Sequence, residues 1–445
     1  MGADLLLDVL KRAGAKGARE ADGYLVEERS FSAVVRLGQV ETVTHSQDQR
    51  LSLRVFVGRA TAAASTSDLS RESLERLIDD ATSLARVTAE DPLAGLPDPA
   101  TLIGTVPDLD LVDRRGHDQT PEEKIAIARR AEEAALAVDP RITNSEGAEF
   151  VDRRSTYTYA TSHGFSASYE ASTFALTATP VASANGEMQR DTWYSTARKR
   201  ARLDSPDEVG RTAAHRALRR LGARQVKTAE VPVVFDPETA ASLVGAVASA
   251  ASGPALYRGS SFLLNRLGQR VASPMVTIVD DGTRPGGLGS KPFDGEGLSV
   301  ERRTVVGAGT LDSYLLDTYS ARKLGLASTH HASRTGSGVG VATTNLALRP
   351  GDASPAELIR SVRSGFYVTE LIGFGVSFVT GDYSRGAVGS WIENGELAYP
   401  VEEVTIAGNL LEMLDRVDGV GNDLVLRDVT SSPTVKVARM VVAGH

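Results

Sequence analysis

Seven histidines, no cysteine and a scatter of neighbouring carboxylates are the groups in this 445-residue chain that could carry hydrolytic or metal chemistry. Zinc hydrolysis calls for His or carboxylate ligands brought onto one helix face, as in His-Glu-x-x-His. None of the seven His is followed by Glu. The one close pair is His330-His331, whose adjacent side chains diverge in a helix or strand, so structural or surface roles outweigh shared chelation. A serine-hydrolase elbow needs Gly-x-Ser-x-Gly, and no glycine here begins it. The run Gly286-Gly287-Leu288-Gly289-Ser290-Lys291 lacks the order of a phosphate-binding loop and is framed by Pro285 and Pro292, so it reads as an exposed turn. Asp280-Asp281-Gly282 also has the composition of a turn. Asp294-Gly295-Glu296-Gly297 is a glycine-rich loop whose two acids suit a turn first and a cation or substrate amine second. The basic cluster Arg198, Lys199, Arg200 and Arg202 reads first as a solvated sheet edge and second as an anion site.

Composition narrows the classes further. Without a thiol the chain can form no disulfide, iron–sulfur cluster or Cys-containing zinc site. Forty-nine Lys and Arg against 57 Asp and Glu give a net charge of −8, and no basic footprint for nucleic acid is visible. The start, Met1-Gly2-Ala3-Asp4-Leu5, has no basic segment of the secretory kind, and the uncharged stretch Thr239 to Tyr257 is mostly Ala, Ser and Gly with Pro254 inside it. A cytoplasmic protein without membrane spans is the expectation.

The elements that must position any site follow from periodicity. Leu5, Leu6, Val9 and Leu10 predict a first helix; β-rich runs follow from Tyr24 to Val43 and from Leu51 to Ala64; Leu74, Leu77, Ile78, Ala81 and Leu84 predict a helix over about 70–85. A Pro-rich connector spans 91–119. Thr120-Pro121-Glu122-Glu123, Ser205-Pro206-Asp207-Glu208 and Ser354-Pro355-Ala356-Glu357 predict three capped helix starts. Strands are expected over 150–160, 164–180 and 188–202, with Asn185-Gly186 as a type I′ turn. Fourteen of the 42 glycines fall in residues 1–225 and 28 in the remaining 220, which argues for a turn-rich sheet or barrel. Its strands are expected over 231–235, 275–280, 303–316, 366–380, 387–393 and 400–407, with a helix over 237–252. The fold class is therefore α+β: an N-terminal mixed sheet-and-helix region, then a Gly-rich, mainly antiparallel β domain. The boundaries are 1–90, 91–119, 120–224 and 225–445.

Several ordered segments carry a family resemblance. Lys291-Pro292-Phe293-Asp294-Gly295-Glu296-Gly297 is followed by Arg302-Arg303-Thr304, Tyr314-Leu315-Leu316-Asp317-Thr318, Gly381-Asp382-Tyr383-Ser384-Arg385-Gly386 and Trp391-Ile392-Glu393-Asn394-Gly395. Together they resemble the TldD/PmbA family, whose members are often labelled modulators of DNA gyrase. The resemblance implies a bacterial or archaeal metallopeptidase of two related subunits that acts on unfolded or small peptides. It further implies that the TldD-type subunit holds zinc through His-Glu-x-x-x-His and a late Cys. Here the matching helix reads Leu243-Val244-Gly245-Ala246-Val247-Ala248-Ser249 and the late segment Ser431-Ser432-Pro433-Thr434. Val244, Gly245, Ala248 and Ser249 thus stand at degenerate zinc-helix positions. This points to the TldE/PmbA-type subunit, with no catalytic or metal residue of its own, inactive alone, and a TldD-type partner supplying the zinc. Asp294, Glu296, Asp382 and Arg385 are the residues expected to line a substrate chamber. The alternatives are a non-enzymatic homodimer that binds peptides or modulates gyrase or a toxin system, and a homomeric metallopeptidase with an atypical site at His330 and His331.

Overall fold

The computed structural model describes residues 2–336 and 338–444. One antiparallel sheet organises the first half. Its strands are β1 (Glu20–Arg36), β2 (Gln39–Val57), β3 (Ala60–Thr66), β4 (Ile142–Thr161), β5 (Ser166–Ala184), β6 (Glu187–Arg190) and β7 (Trp193–Ala197). They run in the order β3-β2-β1-β4-β5, with β6 and β7 both paired to β5. Because β1 pairs with β4 from Asp22↔Thr161 to Val35↔Ala148, the regions on either side of the connector share one sheet. The first β-rich run is broken at Leu37-Gly38, both at positive φ, so that it supplies β1 and the start of β2. Asn185 and Gly186 also have positive φ, as a type I′ turn requires.

Side chains alternate across this sheet, and its two faces do different work. One face carries the helices. Leu6, Val9 and Leu10 of α1 (Gly2–Ala15) and Leu74, Leu77 and Ile78 of α2 (Arg71–Val87) cover Leu25, Leu51 and Leu53. Ala128 and Ala131 of α3 (Pro121–Leu136) and Val209 and Ala213 of α4 (Pro206–Leu218) cover Phe150, Phe174 and Leu176. The capping box at Thr120 is complete, whereas at Ser205 the hydroxyl accepts from Glu208 N without a reciprocal bond.

The C-terminal half contains β8 (Ala229–Phe235), α5 (Pro237–Ala250), α6 (Gly253–Tyr257), β9 (Ile278–Asp281), β10 (Arg302–Gly307), β11 (Thr310–Leu311) and α7 (Thr318–Leu324). There follow β12 (Ala332–Thr335), β13 (Gly338–Val341), β14 (Leu346–Leu348), α8 (Pro355–Arg360), β15 (Ser364–Ile372) and β16 (Asp382–Glu393). The last elements are β17 (Glu396–Asn409), α9 (Leu410–Asp415), β18 (Val417–Val420), β19 (Thr430–Ser431) and β20 (Val435–Ala443). Strands β8, β15, β16, β17 and β20 pair in a ring, since β17 bonds to both β16 and β20 and β20 bonds to β8. Closure removes the free edges of these strands and encloses Val233, Phe235, Phe366, Val368, Ile406 and Val437. A smaller sheet, β11-β10-β9-β14-β19, lies beside α5. The strand expected over 366–380 stops at Ile372, because Gly373 turns at φ 80° and the chain loops out to expose Phe374. The uncharged stretch 239–257 is two helices, divided where Gly253-Pro254 restarts the chain. Among the described residues no helix is long and apolar enough to cross a membrane. The fold is α+β with mainly antiparallel sheets.

The connector is pinned, not loose. Arg322 of α7 donates to the carbonyls of Leu93, Gly95 and Leu96 at 3.1, 3.1 and 2.7 Å, and Tyr319 Oη donates to Asp91 at 2.7 Å.

The second face of the N-terminal sheet meets the C-terminal half through buried charges. Asp22 and Arg54 are direct cross-strand partners on β1 and β2. Arg54 grips Asp22 through Nε at 3.1 Å and Nη2 at 2.6 Å, and Nη2 also reaches Glu296 at 3.1 Å. Arg334 of β12 binds Asp22 at 2.5 Å and the Gly295 carbonyl at 2.7 Å, while Tyr159 Oη donates to Asp22 at 3.1 Å. Glu296 Oε2 accepts the Thr318 N–H at 3.0 Å. Asp294 shapes the same loop by accepting the N–H groups of Glu296, Leu298 and Ala332 at 2.9, 3.1 and 3.0 Å. Burial alone would raise the Asp22 carboxyl, but Arg334 and Arg54 overcome it and hold the group down to about 2. At Asp294 burial, reinforced by the charge of Glu296, outweighs the opposing charge of Lys291 and pushes the carboxyl up to about 6.

Two outcomes follow from these opposite shifts. Asp22→Ala should lower stability to urea by about 3–5 kcal/mol, because Arg334 would be left buried without the anion it pairs with and Arg54 would keep only Glu296. The stability Asp22 confers is complete above 3.8 and disappears as pH falls towards about 2. Asp294 acts in the other direction: the native state holds its proton between 3.8 and about 6, so its contribution falls as pH rises through that window. Asp294→Asn should cost about 1–3 kcal/mol, since one backbone N–H would face an amide NH2. Urea midpoints measured from pH 4 to 7 should lose that descending slope in the variant, and an unchanged slope would contradict the assignment.

Candidate functional site

Helix α5 starts directly after β8 because Asp236 caps it, accepting from Thr239 N at 2.9 Å and Thr239 Oγ1 at 2.8 Å, with Pro237 in the first turn. Its periodicity divides the four positions that the resemblance assigns to a degenerate zinc helix. Val244 and Ala248 are buried at 3% and 6% exposure in the domain core. Gly245 and Ser249 lie on the outer face with Ser242, and Ser249 Oγ donates back to the Gly245 carbonyl at 2.9 Å. A Cβ at Gly245 would meet nothing within 4 Å, so there is room for a side chain and none is supplied. Zinc is held by thiolate, imidazole and carboxylate, and Val, Gly, Ala and Ser offer none of these. The group that the resemblance implies does not fit the residues present. Among the described residues no three or more of His, Cys, Asp and Glu are grouped to hold a metal.

The first turn of α5 instead opens into a cleft between the central region and the C-terminal half. The cleft has lobes of about 270 and 580 Å³ that share Tyr194, Arg216 and Glu238. Arg216 of α4 spans it, with Nε 3.1 Å from Asp191, Nη1 3.7 Å from Asp236 and Nη2 donating to the Thr369 carbonyl at 3.3 Å. Two guanidinium groups lie against the Trp193 ring, Arg216 at 5.0 Å and Arg427 at 4.1 Å from its centre. Burial raises the carboxyls of Glu238 and Asp236 and pushes the Tyr194 and Tyr367 phenols up to about 12.

Of the four residues expected to line a chamber, Arg385 lies on this cleft, in the larger lobe, where Nη2 donates to the Leu371 carbonyl at 3.3 Å. Asp382, at the start of β16, is exposed and accepts from Thr380 Oγ1 at 2.6 Å. Asp294 and Glu296 are 1% exposed and belong to the buried charge cluster between the two halves. The structure therefore does not gather the four into one wall. Glu238, Arg216 and Trp193 carry the cleft and were not singled out by sequence. The Asp-Pro-Glu start of α5 marks Glu238 as a first-turn acid, but its burial depends on α4 and β7, which no local pattern announces.

Two other clusters have the connectivity of hydrolytic sites without the access. Ser172 Oγ lies 2.9 Å from His117 Nε2, and His117 Nδ1 bonds to Asp152, an acyl-transfer order. Ser172 is fully buried, its Oγ receives the Asp113 N–H at 3.0 Å, and Asp152 is also held by Lys124 at 2.5 Å. This cluster docks the connector onto β4 and β5. His331 Nε2 lies 2.9 Å from Asp280, which also accepts Thr344 N and Oγ1, while His330 Nδ1 points to the Ser299 carbonyl at 2.6 Å. The adjacent imidazoles serve different partners and do not converge on one ion. No His lines either lobe among the described residues. Arginine forks, a shielded aromatic and buried carboxyls suit the cleft to holding a polar extended chain rather than attacking it.

Comparison with known proteins agrees with the sequence motifs. The chain matches PmbA/TldA metallopeptidase domain 1 over residues 21–85, the central domain over 114–221 and the C-terminal domain over 228–444. It is 40% identical to the metalloprotease PmbA of Escherichia coli O157:H7 over 93% of this chain and 90% of that one. A Bacteroides thetaiotaomicron crystal structure described as a candidate modulator of DNA gyrase superposes with a TM-score of 0.92 at 29% identity, covering 99% of this chain and 98% of the other. TldE from Thermococcus kodakarensis shares the fold, with a TM-score of 0.88 at 20% identity over 99% of this chain and all of that one. On these matches, which span both halves, the chain belongs to the PmbA/TldD metallopeptidase family.

Proposed function

We propose that this chain is the non-metal, TldE/PmbA-type subunit of a cytoplasmic, zinc-dependent peptidase complex. The observation that carries the reading is the chemistry of α5: the helix keeps its place beside β14, β15 and β19 but presents Val244, Gly245, Ala248 and Ser249 where a metallopeptidase needs ligands and a base. A TldD-type partner supplies the zinc and the activated water. This chain contributes the cleft at the first turn of α5, where Arg216, Arg385 and Glu238 hold an unfolded or small peptide extended, and so positions the scissile bond without entering the chemistry. The similarity to metalloprotease PmbA supports a place in a metallopeptidase system.

Purified alone, the chain should show no chelator-sensitive cleavage of an unfolded polypeptide. Mixed with a TldD-type subunit it should co-elute on size exclusion and raise cleavage above that of the partner alone. Arg385→Ala in the mixture should lower kcat/KM by about 10- to 100-fold while leaving co-elution intact. Chelator-sensitive activity of the chain alone would contradict the proposal. Failure of the mixture to associate or to gain activity would instead favour a solitary peptide-binding homodimer.

A further inference from the structure

Two sequence features that looked unrelated meet at a second cavity. The basic run after β7 and the glycine run before Lys291 enclose about 370 Å³, lined by Arg198, Lys199, Arg202 and Arg284 and by Gly286 and Gly287. The acids in its wall are Asp110 and Asp428. Lys199 is neutralised by Asp110 at 2.5 Å, and Asp428 accepts the Val429 N–H at 2.6 Å. Arg198 differs from these. Its guanidinium donates to the carbonyls of Gly287 at 3.2 Å and Ser172 at 3.0 Å, to the Leu288 carbonyl, and to Thr173 Oγ1 at 3.1 Å, all of them neutral oxygens. Such a group, shielded from water, keeps an uncompensated charge, and burial lowers its pKa accordingly. Arg202 and Arg284 are exposed and make no ion pair among the described residues.

The glycine wall is built, contrary to its reading as an exposed turn. Asn345 Oδ1 accepts the Gly289 N–H at 2.8 Å, and its Nδ2 donates to the Asp281 carbonyl at 2.6 Å and to Ser290 Oγ at 2.8 Å. A Cβ at Gly287 would lie 2.5 Å from Ser290 Oγ and 2.8 Å from Asn345, so glycine alone permits this packing. The volume has room for on the order of ten water-sized groups, far more than one carboxylate needs. Asp110 and Asp428 disfavour a compact polyanion and offer acceptors to peptide N–H groups.

We propose that this cavity binds an acidic peptide segment, with Arg202 and Arg284 taking the carboxylates of neighbouring Asp or Glu side chains and Arg198 providing the fixed charge behind them. The inference rests on the reading of the chain as a peptide-handling subunit and adds a preference for acidic sequence. Fluorescence anisotropy on the full chain, with labelled Gly-Asp-Glu-Asp-Gly and Gly-Asn-Gln-Asn-Gly as probes, tests it. The acidic probe should bind at least about tenfold tighter, with the difference shrinking as salt rises. The difference should vanish in the double variant Arg202→Glu, Arg284→Glu and persist in part in Arg202→Lys, Arg284→Lys, both with unchanged thermal melting. Equal binding of the two probes, or a preference that survives the double Glu variant, overturns the inference while leaving peptide handling intact. Displacement of the acidic probe by inorganic phosphate at equal affinity overturns it in favour of a small-anion site. If neither probe binds, the inference falls, and the peptide-handling reading is judged separately by the reconstituted cleavage assay.

Discussion

Asp22 is the constraint on which the relation between the two halves depends. A carboxylate with no exposed surface is costly unless its charge is matched, and here two guanidinium groups, one from each half, meet it together. Arg54 arrives by cross-strand pairing, so its position is fixed once the β1–β2 register is fixed. Arg334 arrives from β12, and its second bond, to the Gly295 carbonyl, ties the same cluster to the loop that carries Asp294 and Glu296. Because Arg334 finds Asp22 and Glu296 finds Arg54 only when both halves are in place, the cluster selects one relative arrangement.

That arrangement creates the cleft and the second cavity. Neither is contained in one half: the cleft takes Trp193, Tyr194 and Arg216 from the central region and Glu238 and Arg385 from the C-terminal one, and the second cavity joins Arg198 to Gly287. The docked connector adds a further restraint through Arg322 and Tyr319. In the C-terminal half the closed strand ring holds α5 by its Leu243, Val244 and Val247 face, which fixes which side of the helix meets the cleft. On the proposed reading, the helix that would carry zinc in a TldD-type subunit is kept here as a structural element bearing Val244, Gly245, Ala248 and Ser249.

Much of the local structure was legible because it rests on neighbouring residues. The Thr120 and Ser354 capping boxes, the Asn185-Gly186 turn and the stripe of α2 all need only a few positions to be recognised. The strand that closes the ring, β20, holds Val435, Val437 and Val442 in a β-rich run, yet nothing nearby in the sequence signals that its partners are β8 and β17. The site was less legible for the same reason. Asp294 and Glu296 have the composition of a ligand-binding loop, yet their roles are set by Arg54, 242 residues from Glu296, and by the Ala332 N–H. Arg334 and Asp22 are 312 residues apart, and no spacing rule connects them. The absence of Cys from the chain and of His from α5 is read directly from the sequence, because it needs no three-dimensional context.

The proposed division of labour turns on which chain holds zinc. Equilibrium dialysis of the purified chain and of its complex with a TldD-type subunit against zinc, followed by elemental analysis of each, reads this directly. The account predicts that the chain alone retains no stoichiometric zinc and that the complex holds the amount its partner holds by itself. Stoichiometric zinc on the isolated chain, released by chelator, would contradict it.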